Sequence, residues 1–206
     1  MIKKVLILII FLILIIGCKP TIETVEVGGA EKMADILLII AQKDFQQIEY
    51  KDTRAELEKA GLKVKVASIT TDIAVGKDGS KVKPDLAVED ANASDYKAIA
   101  VIGGPGAPEL GEHDAVLDLL RDAQAKGKVV AAICIAPVVL AKAGVLEGKN
   151  ATVWNSPLDK SGIDDIESAG ATFVDKPVVV DGKLITGNGP AAAKEFGKAI
   201  AAALKK

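Results

Sequence analysis

Short apolar runs alternate along this chain with longer segments of helical periodicity. Residues 35–41 (DILLIIA), 96–102 and 129–133 are nearly continuous apolar stretches, the pattern of strands buried on both faces of a parallel sheet. Residues 62–67 alternate and form a further strand, and 151–154 a short one. Between them, 45–60 repeats apolar residues at helical spacing through Phe45, Ile48, Leu57 and Ala60, and Gly61 stops it as a C-cap. Helices are also predicted over 115–125, from Pro137 to residue 143 ahead of Gly144, over 164–169, and over 191–204 after Gly187-Asn188-Gly189-Pro190. Residues 70–85, with Gly76, Gly79 and Pro84, suit a surface hairpin, and 178–185 is a hairpin turning on Asp181-Gly182. Strands alternating with helices predict an α/β protein, a doubly wound, flavodoxin-like sandwich with a mostly parallel central sheet. There is no internal repeat and no second folded domain, so the folded unit spans residues 33–206.

The stretch that organises the rest is Val129-Val130-Ala131-Ala132-Ile133-Cys134-Ile135-Ala136-Pro137. Pro137 suits the first turn of a helix, so Cys134 stands where a buried strand turns sharply into one. This is nucleophile-elbow geometry, in which the amide ends of the following helix favour a thiolate. The plain alternative is a small buried hydrophobe, a common fate of free cysteines. In such a sheet ligands sit at the carboxyl ends of the strands, where Gly103-Gly104 follows one of them. Gly103-Gly104 exposes backbone N–H groups that, with the N–H of Ile135, are placed to cradle an oxyanion. No Gly-Lys-Ser/Thr follows the glycines, so this is not a phosphate loop.

The amino terminus changes the picture of location. Lys3-Lys4 precede an unbroken apolar run over 5–16, then Gly17-Cys18-Lys19-Pro20. A positive start, a short apolar core and a small residue at the cut predict a signal peptide over 1–17, shorter than the roughly 20 residues of a comfortable membrane span. Ile15-Ile16-Gly17-Cys18 resembles a lipobox, which implies that Cys18 becomes a lipidated N-terminus; an uncleaved anchor is the alternative. Residues 18–32 then read as a polar tether, and the body is expected outside the cytoplasm on a cell membrane. Met33 allows an internal start that yields a soluble form. With Cys18 assigned to the anchor, Cys134 has no disulfide partner, and two isolated cysteines supply no metal-site spacing. The formal charge is −2 and aromatic residues make up 3% of the chain, which argues against nucleic-acid binding. Nothing in the sequence requires a metal or an organic cofactor.

Ala131-Ala132-Ile133-Cys134-x-Ala136-Pro137, preceded by a strand and Gly103-Gly104, followed by Gly144-Val145-Leu146-x-Gly148 and later by Asp181-Gly182-x-Leu184-Ile185-Thr186 and Gly189-Pro190, resembles the DJ-1/PfpI family over about 35–204. The resemblance implies the flavodoxin-like fold, a homo-oligomer, and a reactive cysteine at Cys134. It also implies an acidic partner on the first helix, which counting back from Gly61 places at Glu49. A second acid, often found one turn earlier in the family, is here Gln46. A solvated surface charge is the alternative reading of Glu49. The implied oxyanion donors are the backbones of Gly104 and Ile135.

Departures from the family pattern bear on activity. Peptidase-type members carry histidine directly after the cysteine, where this chain has Ile135, and a cysteine hydrolase needs a group to protonate its leaving amine. Near Trp154-Asn155, where several relatives carry histidine or tyrosine, the residue is also changed. The single histidine, His113, lies between Glu112 and Asp114 at a helix start and reads as a capping-region surface residue. Ala107-Pro108-Glu109 loosely matches a motif whose glutamate reaches a neighbouring subunit's site. The resemblance therefore points first to a glyoxalase or deglycase type of enzyme acting on a small carbonyl substrate, with Cys134 as nucleophile and Glu49 as acid/base. The alternatives are a non-enzymatic redox-sensing or binding module and, disfavoured by Ile135, a PfpI-like peptidase.

Overall fold

Buried apolar runs form the middle of a seven-stranded sheet in the computed structural model, which describes residues 34–205. The first part of the chain comprises β1 (Ile36–Ile39), β2 (Lys43–Phe45), α1 (Gln47–Lys59), β3 (Val64–Ser68), β4 (Ala74–Gly76), β5 (Lys81–Val82) and β6 (Leu86–Ala87). Next come β7 (Ala98–Val101), α2 (Asp114–Ala125), β8 (Val129–Ile133) and α3 (Pro137–Lys142). The last part comprises β9 (Asn150–Ala151), α4 (Ser161–Ser168), β10 (Thr172–Phe173), β11 (Val178–Asp181), β12 (Leu184–Gly187) and α5 (Ala193–Ala203). The predicted leader, Cys18, the tether and Met33 lie outside the described residues.

The strand order is β11-β12-β8-β7-β1-β3-β6, and only β11 runs antiparallel. Every residue of β1, β7 and β8 is buried, which accounts for their continuous apolar sequences. The chain steps from β1 to β3 in one direction and from β7 to β8 in the other. Right-handed crossovers then put α1 and α2 on opposite faces. α5 packs on α1, where Gly197 permits close approach: a Cβ there would lie 2.9 Å from the Thr53 carbonyl oxygen. α2, α3 and α4 cover the other face. No helix among the described residues is long and apolar enough to cross a membrane.

Three local departures from the periodicity have physical causes. Phe45 belongs to β2, not to the first helix, because Asp44 takes a left-handed conformation (φ 56°) and β2 pairs with β4 of the predicted 70–85 hairpin. There the Phe45 ring is fully buried, edge-on to Tyr50 at 5.8 Å. The fourth helix starts at Ser161 rather than residue 164 because the Asp159 carboxylate accepts from the Ser161 N–H (3.0 Å) and hydroxyl (2.7 Å). Of the strand expected over 151–154, only Ala151 pairs, with β10; the following residues turn toward β8, where the Trp154 N–H donates to the Cys134 carbonyl (2.8 Å).

Candidate active site

Cys134 closes β8 with φ at 63°, one of two non-glycine residues in the left-handed region among those described. An L-residue there costs about 1–2 kcal/mol, so the surroundings must impose it. They do so from both sides of the residue. Its N–H extends the sheet ladder to the Gly187 carbonyl (2.8 Å), while its carbonyl is held by Trp154. Pro137 opens α3 as expected, and the side chain is delivered to the carboxyl edge of the sheet with 9% of the residue exposed.

Glu49 comes to the same point from the first turn of α1. Gln46 caps that helix, its side-chain oxygen accepting from the Ile48 N–H (3.4 Å). The Gln46 N–H donates to the Gly103 carbonyl (2.8 Å), and the Gly103 N–H donates to Glu49 Oε2 (3.0 Å). The loop after β7 therefore pins the start of α1 twice. Gly103 must be a glycine here: a Cβ would lie 2.5 Å from Cys134 Cβ and 2.7 Å from Glu49 Oε2. At Gly104 (φ 117°) a Cβ would lie 2.4 Å from the Asp44 carbonyl oxygen. These two glycines let the carboxyl and the thiol meet.

Glu49 is fully buried, which removes the surface-charge alternative, and its carboxyl and the Cys134 thiol shift each other's acidity. Its Oε2 accepts from Gly103, while its Oε1 meets no donor among the described residues, the arrangement of a carboxyl that keeps a proton to donate. Burial raises the acid to about 7, against the opposing hydrogen bonds from Cys134 and Gly103 and the charge of Lys77. The Cys134 thiol is pushed up to about 12 by burial, then by the Glu49 charge and its hydrogen bond. The N–H groups of Ile135 and Gly104 point at the sulfur and oppose this rise. The helix-end amides expected to favour the thiolate are thus present but outweighed by burial. A protonated Glu49 removes the like-charge repulsion and offers a donor, so the pair accommodates one negative charge between oxygen and sulfur.

A pocket of about 390 Å³ opens over the sulfur. Pro105, Ile135, Trp154 and Pro190 supply apolar wall, and Lys77 and Asp159 bring charge to it. Gln46 also lines it. Ile135, directly after the cysteine, thus gives the wall an apolar side chain and no titratable group. Lys77 sits in the β4–β5 turn and was not foreseen, because nothing in a Gly-Lys-Asp-Gly turn marks a site. His113, at the start of α2, lines a separate cavity of about 330 Å³ together with Glu109, away from the thiol. Among the described residues no group of three His, Cys, Asp or Glu side chains is placed to hold a metal.

Fold and site together define a flavodoxin-like α/β protein with a cysteine at a strained elbow, paired with a buried glutamate. The chain belongs to the DJ-1/PfpI family, which it matches over residues 34–203. It is 42% identical over 176 residues to the uncharacterized protein MJ0967 of Methanocaldococcus jannaschii, covering 85% of this chain and 84% of that one. It is 30% identical to the deglycase PfpI of Pyrococcus furiosus, over 75% of this chain and 90% of the relative. The glutathione-independent glyoxalase DJR-1.2 of Caenorhabditis elegans is also 30% identical, over 86% and 91%. A ThiJ/PfpI domain protein from Brachyspira murdochii superposes with a TM-score of 0.79 at 29% identity, covering 84% of this chain and 98% of that one.

Proposed function

We propose that this protein is a cysteine-dependent enzyme acting on small reactive carbonyls, of glyoxalase or deglycase type. The observation that carries the reading is the convergence of Cys134, the buried Glu49 carboxyl and two backbone N–H groups beneath an open, mostly apolar pocket. The names of relatives at 30% identity, a deglycase and a glyoxalase, support the same class.

With a 2-oxoaldehyde the steps run as follows. The Cys134 sulfur adds to the aldehyde carbon, its proton passing through Glu49 to the carbonyl oxygen to give a hemithioacetal. The Gly104 and Ile135 amides, which face the sulfur, stabilise the oxygen charge during the addition. Glu49 as carboxylate takes the hydrogen from that carbon as a proton, and the electron pair left behind forms a carbon–carbon double bond while the keto oxygen takes the charge, giving an enediolate. Return of the same proton to the neighbouring carbon, with the hydroxyl proton of the first carbon passing to the neighbouring oxygen, leaves a thioester of a 2-hydroxy acid, which water cleaves to the free acid and the thiol. An acid near neutrality serves both proton transfers, and no step needs a histidine. Peptide hydrolysis needs a proton donor for the leaving amine beyond this single carboxyl, and Ile135 supplies none. Cys134→Ser and Glu49→Gln should each lower methylglyoxal turnover by at least about a hundredfold; full activity in both variants refutes the mechanism.

A redox-sensing role is the second reading, favoured by the three donors around the sulfur, which suit a sulfenate oxygen equally well. Mild peroxide, itself reduced to water, is then expected to leave sulfenic acid at Cys134; an unmodified thiol argues against it. On the N-terminal sequence signature alone we further propose that Cys18 anchors the domain by lipid outside the cytoplasm, and on the family likeness that the chain forms a homo-oligomer.

A further inference from the structure

Lys77 is fixed in the fold although its side chain is exposed. It occupies the turn between β4 and β5, and its N–H donates to the Phe45 carbonyl (3.0 Å), just ahead of α1. The turn packs so closely on Phe45 that a Cβ on Gly76 would lie 3.2 Å from the end of its ring. The pairing of β2 with β4 therefore fixes the backbone from which Lys77 lines the pocket over Cys134.

This is the only cation among the residues lining that pocket, and it has no hydrogen-bonding or ion-pair partner for its side chain among the described residues. The acid on the pocket wall, Asp159, is already engaged by the Ser161 N–H and hydroxyl at the start of α4. Glu49 lies deeper and feels the Lys77 charge without a direct contact. A three-carbon aldehyde seated on the sulfur leaves most of the roughly 390 Å³ unused.

Resting on the carbonyl-enzyme reading, we infer that Lys77 is a specificity residue, binding the carboxylate of 2-oxoaldehydes that carry an acid group beyond the keto carbon. The carboxylate is a spectator: the aldehyde and keto carbons are converted with water to the 2-hydroxy acid as above, and the distal acid leaves unchanged. Trp154 stands in the pocket wall and is the chain's single tryptophan, so its fluorescence reports occupancy.

Two measurements on the full chain separate the claims. In Cys134→Ala, 4-oxopentanoate is expected to quench Trp154 with a Kd at least about tenfold below that of its methyl ester, the size of one charge-assisted contact in a partly enclosed site. Adding Lys77→Met should abolish the difference and Lys77→Arg should restore it. Equal affinities, or no response to either ligand, overturn the assignment. In the wild-type cysteine background, the ratio of kcat/KM for 4,5-dioxopentanoate over methylglyoxal should fall at least about tenfold on Lys77→Met. Any change in Glu49 acidity affects both substrates and cancels in that ratio. An unchanged ratio overturns the role of Lys77. Turnover of neither substrate, with charge-dependent quenching intact, sinks the carbonyl-enzyme reading and leaves the anion site standing.

Discussion

Replacing Glu49 by glutamine should stabilise the protein, and more so as pH rises. Glu49 is fully buried, with its acid strength shifted from the ordinary 4.5 to about 7, chiefly by loss of water. The folded state thus holds its proton more tightly than the unfolded chain. Between these two values the unfolded state has released a proton that the folded state retains, so stability is greatest below about 4.5 and falls as pH rises through about 7. The shift corresponds to about 3 kcal/mol lost between pH 4 and pH 8. Glutamine copies the protonated carboxyl: its oxygen keeps the Gly103 hydrogen bond, and its uncharged NH₂ takes the place of the unpartnered Oε1. Urea titrations of both full-length proteins should give nearly equal stabilities at pH 4. At pH 8 Glu49→Gln should be ahead by about 3 kcal/mol, or about 6–12 °C in Tm for a domain of this size. A difference that stays within about 0.5 kcal/mol across that range refutes the buried-acid argument, as does a variant that is less stable at pH 8. The gain would come with loss of turnover, the exchange of stability for function expected at a site holding a buried charge.

Two further outcomes follow from the same geometry. In a Cys18→Ser background, the apparent pKa of iodoacetamide alkylation at Cys134 should fall by roughly one unit or more in Glu49→Gln, because the carboxylate's charge is removed while the Ile135 and Gly104 amides remain; an unchanged or higher value means that Glu49 does not govern the thiol. Because Cys134 sits at φ 63°, Cys134→Gly should be more stable than Cys134→Ala by about 1 kcal/mol in thermal unfolding. Equal stabilities would show that the elbow stores no backbone strain.

Much of the frame was legible because its signals are local. The β8 run, the Asp181-Gly182 turn and the Pro137 helix start each carry their geometry in a few neighbouring residues, and all stand where the pattern put them. The short β6 and β10 escaped notice, since two residues have no period to read. Phe45 shows a tertiary override: its spacing fits the helix, yet pairing with a strand some thirty residues on decides its conformation. At the site, Cys134 and Gly103-Gly104 were visible as elements of a strand-edge pattern. Glu49 was found through family resemblance, since its own helix shows a charged residue among several others.

The sequence by itself determined the order of the long buried strands and the helices, the edge at which the cysteine emerges and the absence of a histidine beside it, because these depend on apolar period, turn chemistry and residue identity. Tertiary structure decided the electrostatics. Whether Glu49 is a solvated charge or a buried acid, and whether the thiol is eased or hindered in losing its proton, depends on how much water the packing of α1 against the Gly103 loop removes. Placing Lys77 and Trp154 on one pocket likewise required the β2–β4 pairing and the Trp154–Cys134 backbone bond, contacts between distant segments that no local pattern encodes.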